Sequence, residues 1–452
     1  MQKNFGKIGF TLAVLGSSIG LGHIWGFPTF AGKNGGGAFV LLFLGIALFV
    51  GVAMLIAEML VGQQGRKNVP DSFKAITDNP KTPWRFMGIT LFAGPFILTF
   101  YCVILGWVLY YLVYVSLNLP TDISQSKLIF DELQSHTGQI GFQILFLAII
   151  LMITAYSIIY GIKSIERLNY LLMPMLFVIF FGLLFYAMTL PGFGESVEFM
   201  FNPDFSKITS SVFVEAMGQV FFSLSLGAGT IITYSSHINK NQNLVTSASW
   251  IVIPGIIISI VAGLMIFTFV FTYGSRADAD NGPGLIFIVL PVMFGHLGSL
   301  GGVLCALFMV GLLFAGLSST VSLLEPCVKY LVDKTKYDRA TLTYMVSFGI
   351  FLVGLIVILS MNTNYKQYFH YFNKDLFNWI VWISMNILLT WGGFFSSLFI
   401  GYFVPKEKLR SWMSGYIKSD FAFYFWLYSL RILAPLMVVV IFIKRIQEFG
   451  AQ

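Results

Sequence analysis

Two short stretches carry most of the chemistry this sequence offers: Gly16-Ser-Ser-Ile-Gly-Leu-Gly22 and Ser223-Leu-Ser-Leu-Gly-Ala-Gly229. Both lie inside apolar runs long enough to cross a bilayer, where each glycine raises the cost of a helix by about 1 kcal/mol. A helix that unwinds at membrane depth bares carbonyls and amides, and only a lined cavity or an ion supplies them with partners. The chemistry expected is reversible binding by backbone groups and serine hydroxyls. Bond-making chemistry is not expected, because no clustered nucleophile and base, zinc-ligand spacing or phosphate loop occurs. Either cluster alone would fit tight small-residue helix packing. Their matched places, in the first and the sixth apolar span, and their interleaved serines point instead to a midplane site between repeats.

The elements that must hold these stretches are membrane helices. Of 452 residues, 57% are hydrophobic and 10% charged, and the mean hydropathy is +0.82. A water-exposed surface of this size would carry far more charge. Spans are predicted near 7–28, 37–62, 86–117, 141–160, 168–190, 211–238, 245–273, 298–332, 341–360, 376–404 and 421–443, eleven in all. The basic start followed by an apolar run raises the question of a signal peptide. Gly16 to Pro28 is too glycine-rich for one, so a retained first helix is expected. The net charge of +7 is spread over alternate connections rather than gathered in one patch, which argues against a nucleic-acid partner. Cys102, Cys305 and Cys327 sit in apolar stretches without a CxxC pair and are expected as small core residues.

Lysine and arginine in the connections set the expected orientation. With the N-terminus in the cytoplasm, seventeen of them (Lys3, Arg66, Lys81, Arg85, Lys163, Arg339 and Lys408 among these) fall inside and eight outside. The chain is expected in the cell membrane, N-terminus cytoplasmic and C-terminus outside. Glu58 and Arg431 lie within spans, where ionisable groups are costly and point to a role.

At Gly16 to Phe39 the sequence reads GSSIGLGHIWGFPTFAGKNGGGAF. This resembles the first-helix signature of the neurotransmitter:sodium symporter family, G-x-x-x-G-L-G-N-x-W-R-F-P followed by N-G-G-G-A-F. The segment Gly218 to Tyr234 is similar to that family's helix-six signature. Glu58, the stretch Gly284 to Pro291 and Ala315-Gly-Leu-Ser-Ser319 add matches, so the resemblance spans essentially the whole chain. It implies an all-α, leucine-transporter-like fold with a 5+5 inverted repeat, helices 1 and 6 unwound. The whole of 1–452 is then one transporter domain, with repeats at 7–190 and 205–404 and an eleventh helix at 421–443. The implied activity is sodium-coupled symport of neutral, hydrophobic or aromatic amino acids. An amino-acid sensor that does not transport is the rival reading.

The resemblance also implies sites. A sodium ion would take the carbonyls of Gly16, Ile19 and Ala315 and the hydroxyls of Ser318 and Ser319, hard neutral oxygens that suit a monovalent cation. Substrate would be held by Ser17, Ser18, Leu21, Gly22, Tyr101 and Ser225, with walls from Ile97, Phe222, Ala228, Ser319 and Leu323. Gly20 stands where monoamine-carrying relatives have an aspartate, which implies a whole amino acid bringing its own carboxylate. Other positions depart from the pattern. The first sodium site should have asparagines where this chain has His23 and Gly255, and a threonine where it has Ser223, so no sodium is expected there. His23 would then either carry a coupled proton or fill the space. Gln219, Ser223 and Ser259 are kept from the chloride site, but Phe43 and Gly255 replace a tyrosine and an asparagine, so chloride is not expected. The outer-gate arginine is Gly26 and its partner best matches Asp375, so outward closure is expected to rest on Phe222 with Tyr101, or on Lys33 or Lys374 as substitutes. Asp333 is kept at the inner face, with Lys3 as expected partner. Glu58 is expected to brace helix 6, and Arg431 to bind a neighbouring helix.

Overall fold

The computed structural model describes residues 5–77, 83–280, 284–370 and 374–450. Nine described helices are long and apolar enough to span a bilayer: α2 (Gly37–Gly65), α3 (Phe86–Val115), α4 (Thr137–Ile158), α5 (Ile162–Ala187), α7 (Leu244–Tyr273), α8 (Ser299–Lys334), α9 (Arg339–Met361), α10 (Leu376–Phe403) and α11 (Asp420–Lys444). A tenth candidate span is broken, and one further apolar stretch is split into two helices. Helix α1 consists of α1a (Ile8–Ser18) and α1b (Gly22–Lys33), bent by 49°. Helix α6 consists of α6a (Ser210–Ser223) and α6b (Thr230–Ser235).

Polar residues begin these helices at the ends of the apolar runs. Thr209, Asn243, Asp338, Asp375 and Ser419 each accept a backbone N–H from the first turn of α6a, α7, α9, α10 and α11, satisfying donors that have no partner within the helix. Burial then sorts the helices. The apolar window of α3 is 72% buried inside the protein, whereas those of α5 and α9 are 39% buried. The latter present a wide apolar face to lipid, and α3 belongs to the centre. The broken helices pack there too: α1a lies against α5, α7 and α8, and α6b against α2 and α8.

Candidate substrate and sodium site

Each break has a local cause. Helix α1a ends at Ser18 because Ile19 leaves helical geometry (φ −75°, ψ 83°). Between α6a and α6b, Ser225 (φ 52°), Gly227 (φ 83°) and Gly229 (φ 75°) turn left-handed. That conformation is costly for a serine, and Ser225 is held in it by its hydroxyl, which donates to the Ser17 carbonyl at 2.7 Å. The freed Gly227 amide donates to Glu58 Oε1 at 2.8 Å, so Glu58 does brace the unwound segment. Gly227 also lies so close to α10 that a Cβ on Gly392 would stand 2.1 Å from its carbonyl oxygen.

Between the breaks is a small cavity. Ser17, Ser18, Gly22, Ile97, Tyr101, Phe222, Ser225, Ala228, Ser319 and Leu323 line it, as do Gly20 and Leu389. Leu21 lines the larger vestibule beyond Tyr101; its amide donates to the Tyr101 hydroxyl at 3.1 Å. The cavity thus has two polar poles, Leu21 with Tyr101 and Ser225 with Ser17, joined by apolar walls. A few placed polar groups in an apolar surround is the usual make-up of a small-molecule site. Its free volume of about 20 Å³ holds little more than one water, so a ligand must push walls apart. At Gly20 a Cβ would lie 2.3 Å from Ser319 Oγ and 2.8 Å from the Tyr101 hydroxyl, leaving no room for an acidic side chain. Leu389 was not foreseen, since nothing in its type separates it from other leucines of α10.

One step toward α8, four of the five residues expected around sodium are joined by hydrogen-bonding distances. Ser318 Oγ donates to the Gly16 carbonyl at 2.7 Å and to the Ala315 carbonyl at 2.8 Å, and Ser319 Oγ lies 3.4 Å from Gly16 O. Ile19, at the end of α1a, is the fifth. None of these groups is charged, and no described residues gather three or more His, Cys, Asp or Glu side chains into a metal cluster. Such a donor set fits a monovalent hard cation better than a divalent one.

The region expected to have lost the first sodium is filled by His23, which is fully buried. Its Nδ1 is 2.7 Å from Ser259 Oγ, and the Phe43 ring stands edge-on to it at 6.4 Å. A Cβ on Gly255 would lie 3.0 Å from His23 Nε2, so the imidazole occupies the room an asparagine there would need. Ser223 Oγ accepts from Gln219 Nε2 at 2.9 Å, and Gln219 also donates to the Gly22 carbonyl at 2.5 Å.

The two ends of the path differ. On one side a vestibule of about 850 Å³ opens, lined by Trp25, Phe30, Phe100, Trp107, Phe130 and Asp375 among others. Tyr101 and Phe222 line both it and the small cavity, and form its floor. Where the family has an arginine, Gly26 backs onto Gln219, whose Oε1 a Cβ would approach to 2.9 Å. Asp375 is used as the cap of α10, accepting from the Asn378 amide at 2.7 Å and its side chain at 3.0 Å. Lys33 and Lys374, the expected substitutes for that arginine, have other contacts. Lys33 pairs with Glu215 at 2.7 Å, and Lys374 lies over the Trp379 and Trp382 rings.

At the other end the path is latched. Asp333 accepts from Lys329 at 2.9 Å and from Asn68 at 3.0 Å; Lys3, its expected partner, lies outside the described residues. Arg339 pairs with the buried Glu325 and donates to the Ile158 carbonyl. Lys334 pairs with Asp71 at 2.8 Å. Desolvation pushes the Asp71 carboxyl up, but the Lys334 and Asn68 hydrogen bonds and the Lys334 charge outweigh it and hold the group below its ordinary value. A depressed carboxylate pKa contributes stability above the unfolded value and loses it as pH falls through the folded one. That pair therefore persists at neutral pH. Glu325, Arg339 and Lys329 escaped sequence reasoning, because side-chain partners on different helices leave no periodic trace. Arg431 of α11 donates to the Gly401 carbonyl of α10 at 2.5 Å, the interhelical contact expected of it.

The chain is similar to known proteins in sequence and fold. A sequence profile of the sodium:neurotransmitter symporter family matches residues 2–133 and 123–452. YhdH, a sodium-dependent transporter of Bacillus subtilis, is 35% identical over 445 residues, 97% of this chain and 96% of its own. A sodium-dependent transporter of Haemophilus influenzae is 34% identical over 452 residues, 97% of each chain. The crystal structure of MhsT in complex with L-phenylalanine superimposes with a TM-score of 0.88 at 32% identity, over 98% of this chain and 99% of that one. The broken helices, the all-helical leucine-transporter-like fold and these likenesses agree: the chain is a multi-pass, sodium-dependent membrane transporter and belongs to the sodium:neurotransmitter symporter family.

Proposed function

We propose that this transporter couples entry of one sodium ion to uptake of a neutral amino acid with an apolar or aromatic side chain. The observation that carries the reading is the cavity between the two breaks, with a polar pole at each end and apolar walls between. The Leu21 amide and Tyr101 hydroxyl would take the carboxylate. The Ser17 carbonyl, released from Ser225, would take the ammonium. Gly20 and the small Ala228 leave the side-chain end apolar, and the related MhsT has been crystallised with L-phenylalanine. The ion would sit among Gly16, Ile19, Ala315, Ser318 and Ser319, joining α1 to α8 beside the substrate. The two broken helices fit repeats at 7–190 and 205–404 that rock against each other, with the N-terminus and the latch in the cytoplasm.

His23 supports a single sodium. Its ring reaches Gly255, at the first sodium position, and Phe43 and Ser259, at the chloride position. Removing a cation and an anion together and inserting a neutral ring leaves the local charge unchanged. That swap accounts for both departures at once. The neighbours named are all neutral, which favours a space-filling imidazole over a coupled proton. One cation crossing about 100 mV releases about 2.3 kcal/mol, roughly forty-fold accumulation of a neutral solute, so one sodium suffices.

Uptake of labelled L-phenylalanine into proteoliposomes, with a panel of unlabelled competitors, tests the reading. Accumulation driven by an inward sodium gradient, unaffected by chloride replacement, is expected, with apolar and aromatic amino acids competing best. Accumulation without sodium would refute it. A pH profile shifted by His23→Asn would instead show proton coupling.

A further inference from the structure

Helix α5 carries a fully buried amide that none of the groups above uses. Asn169 Nδ2 donates to the Ile165 carbonyl one turn back, at 2.9 Å, and this donation fixes which end of the amide faces forward. The forward atom, Oδ1, is buried without a hydrogen-bond partner. A buried carbonyl oxygen left bare is costly and calls for an explanation. Glu166, one turn earlier on the same face, has its partners in the Gly6 amide and Lys163. Asn169 is the unexplained one.

Its position supplies the explanation. A Cβ built on Gly16 would lie 1.9 Å from Asn169 Oδ1 and 3.2 Å from Ser318 Cβ. The bare oxygen therefore lies against Gly16 where α1 meets α8 beside Ser318, and residue 16 must be glycine because the amide occupies the side-chain position. We infer that Asn169 Oδ1 is a further neutral oxygen directed at the sodium ion, through which α5 joins the ion that links α1 to α8. This rests on the sodium position proposed above. A sixth uncharged oxygen keeps the site suited to a monovalent ion, and it makes the packing of α5 against α1 depend on whether the ion is present.

The test uses the purified full-length transporter without amino acid, reading direct binding of radioactive sodium and the rise in melting temperature with sodium. Wild type is compared with Asn169→Ala, Asn169→Asp and Ser318→Ala. Asn169→Ala is expected to raise the half-saturating sodium concentration about tenfold or more and to shrink the sodium-dependent rise. Its melting temperature without sodium should not fall, since a bare buried oxygen is removed. Asn169→Asp keeps the oxygen and should bind sodium at least as well as wild type. If Asn169→Ala binds sodium like wild type while Ser318→Ala does not, the inference fails and the sodium position stands. If Ser318→Ala also binds like wild type, the sodium position itself is wrong. An Asn169→Ala protein less stable without sodium, with the sodium-dependent rise intact, would mark a merely structural amide and overturn the inference.

Discussion

The latch end and the vestibule end of this transporter close by different physics. At the latch, Asp333, Lys329, Asn68, Asp71 and Lys334 form linked, partly buried charged contacts, and Arg339 meets a fully buried Glu325. At the vestibule, the floor is Phe222 and Tyr101, and the position of the gate arginine is a glycine. Charged contacts in a low-dielectric region lose much when one partner goes, because the other is left buried and bare. An aromatic floor loses only the area it covers. The chain thus lines one end with directed, charged interactions and floors the other with two aromatic side chains.

Four substitutions probe that contrast. Asp333→Ala leaves Lys329, whose side chain is 10% exposed, without its partner. It should favour opening at the latch by about 2 kcal/mol, read as increased labelling of a cysteine introduced beneath the pocket. Unchanged labelling would mean that the latch does not hold this end. Phe222→Ala removes the floor and should weaken amino-acid binding about tenfold, measured by equilibrium binding with saturating sodium; wild-type affinity would shift the closure elsewhere. Asp375→Ala should cost about 1 kcal/mol of stability through the lost cap, with half-saturation for uptake within about twofold of wild type. A large loss of uptake at unchanged melting temperature would instead restore Asp375 as a gate residue. Lys33→Ala is expected to do least: half of its side chain is exposed, and such pairs contribute about 1 kcal/mol or less, seen as a melting shift of a few degrees at most.

Much of the fold was legible because the bilayer sets the length of apolar runs. The spans expected at 245–273 and 376–404 are observed as Leu244–Tyr273 and Leu376–Phe403. The first span, expected at 7–28, continues to Lys33, since α1b starts afresh at Gly22 and Pro28 falls in the first turn of its regular part, Phe27–Lys33, after the wider turn Gly22–Gly26. The breaks were legible from glycine spacing, and the residues assigned to the pocket by resemblance line one cavity, except Leu21, which lines the vestibule. What escaped were relations rather than residues. His23 and Gly255 read as two separate losses, yet the ring of one fills the space beside the other. Asn169 is one polar residue on a lipid-exposed helix until its bare oxygen is seen against Gly16. Leu389 and the Glu325–Arg339 pair belong to the same class, because contacts between distant helices leave no mark on local composition.

The account turns on how many sodium ions move with each substrate. In proteoliposomes with imposed sodium, substrate and voltage gradients, the condition of zero net amino-acid flux gives that number directly. One sodium per amino acid is predicted, with His23→Asn/Gly255→Asn the variant most able to raise it. Two sodium ions per amino acid in the wild type would contradict the claim that an imidazole has taken the place of the first.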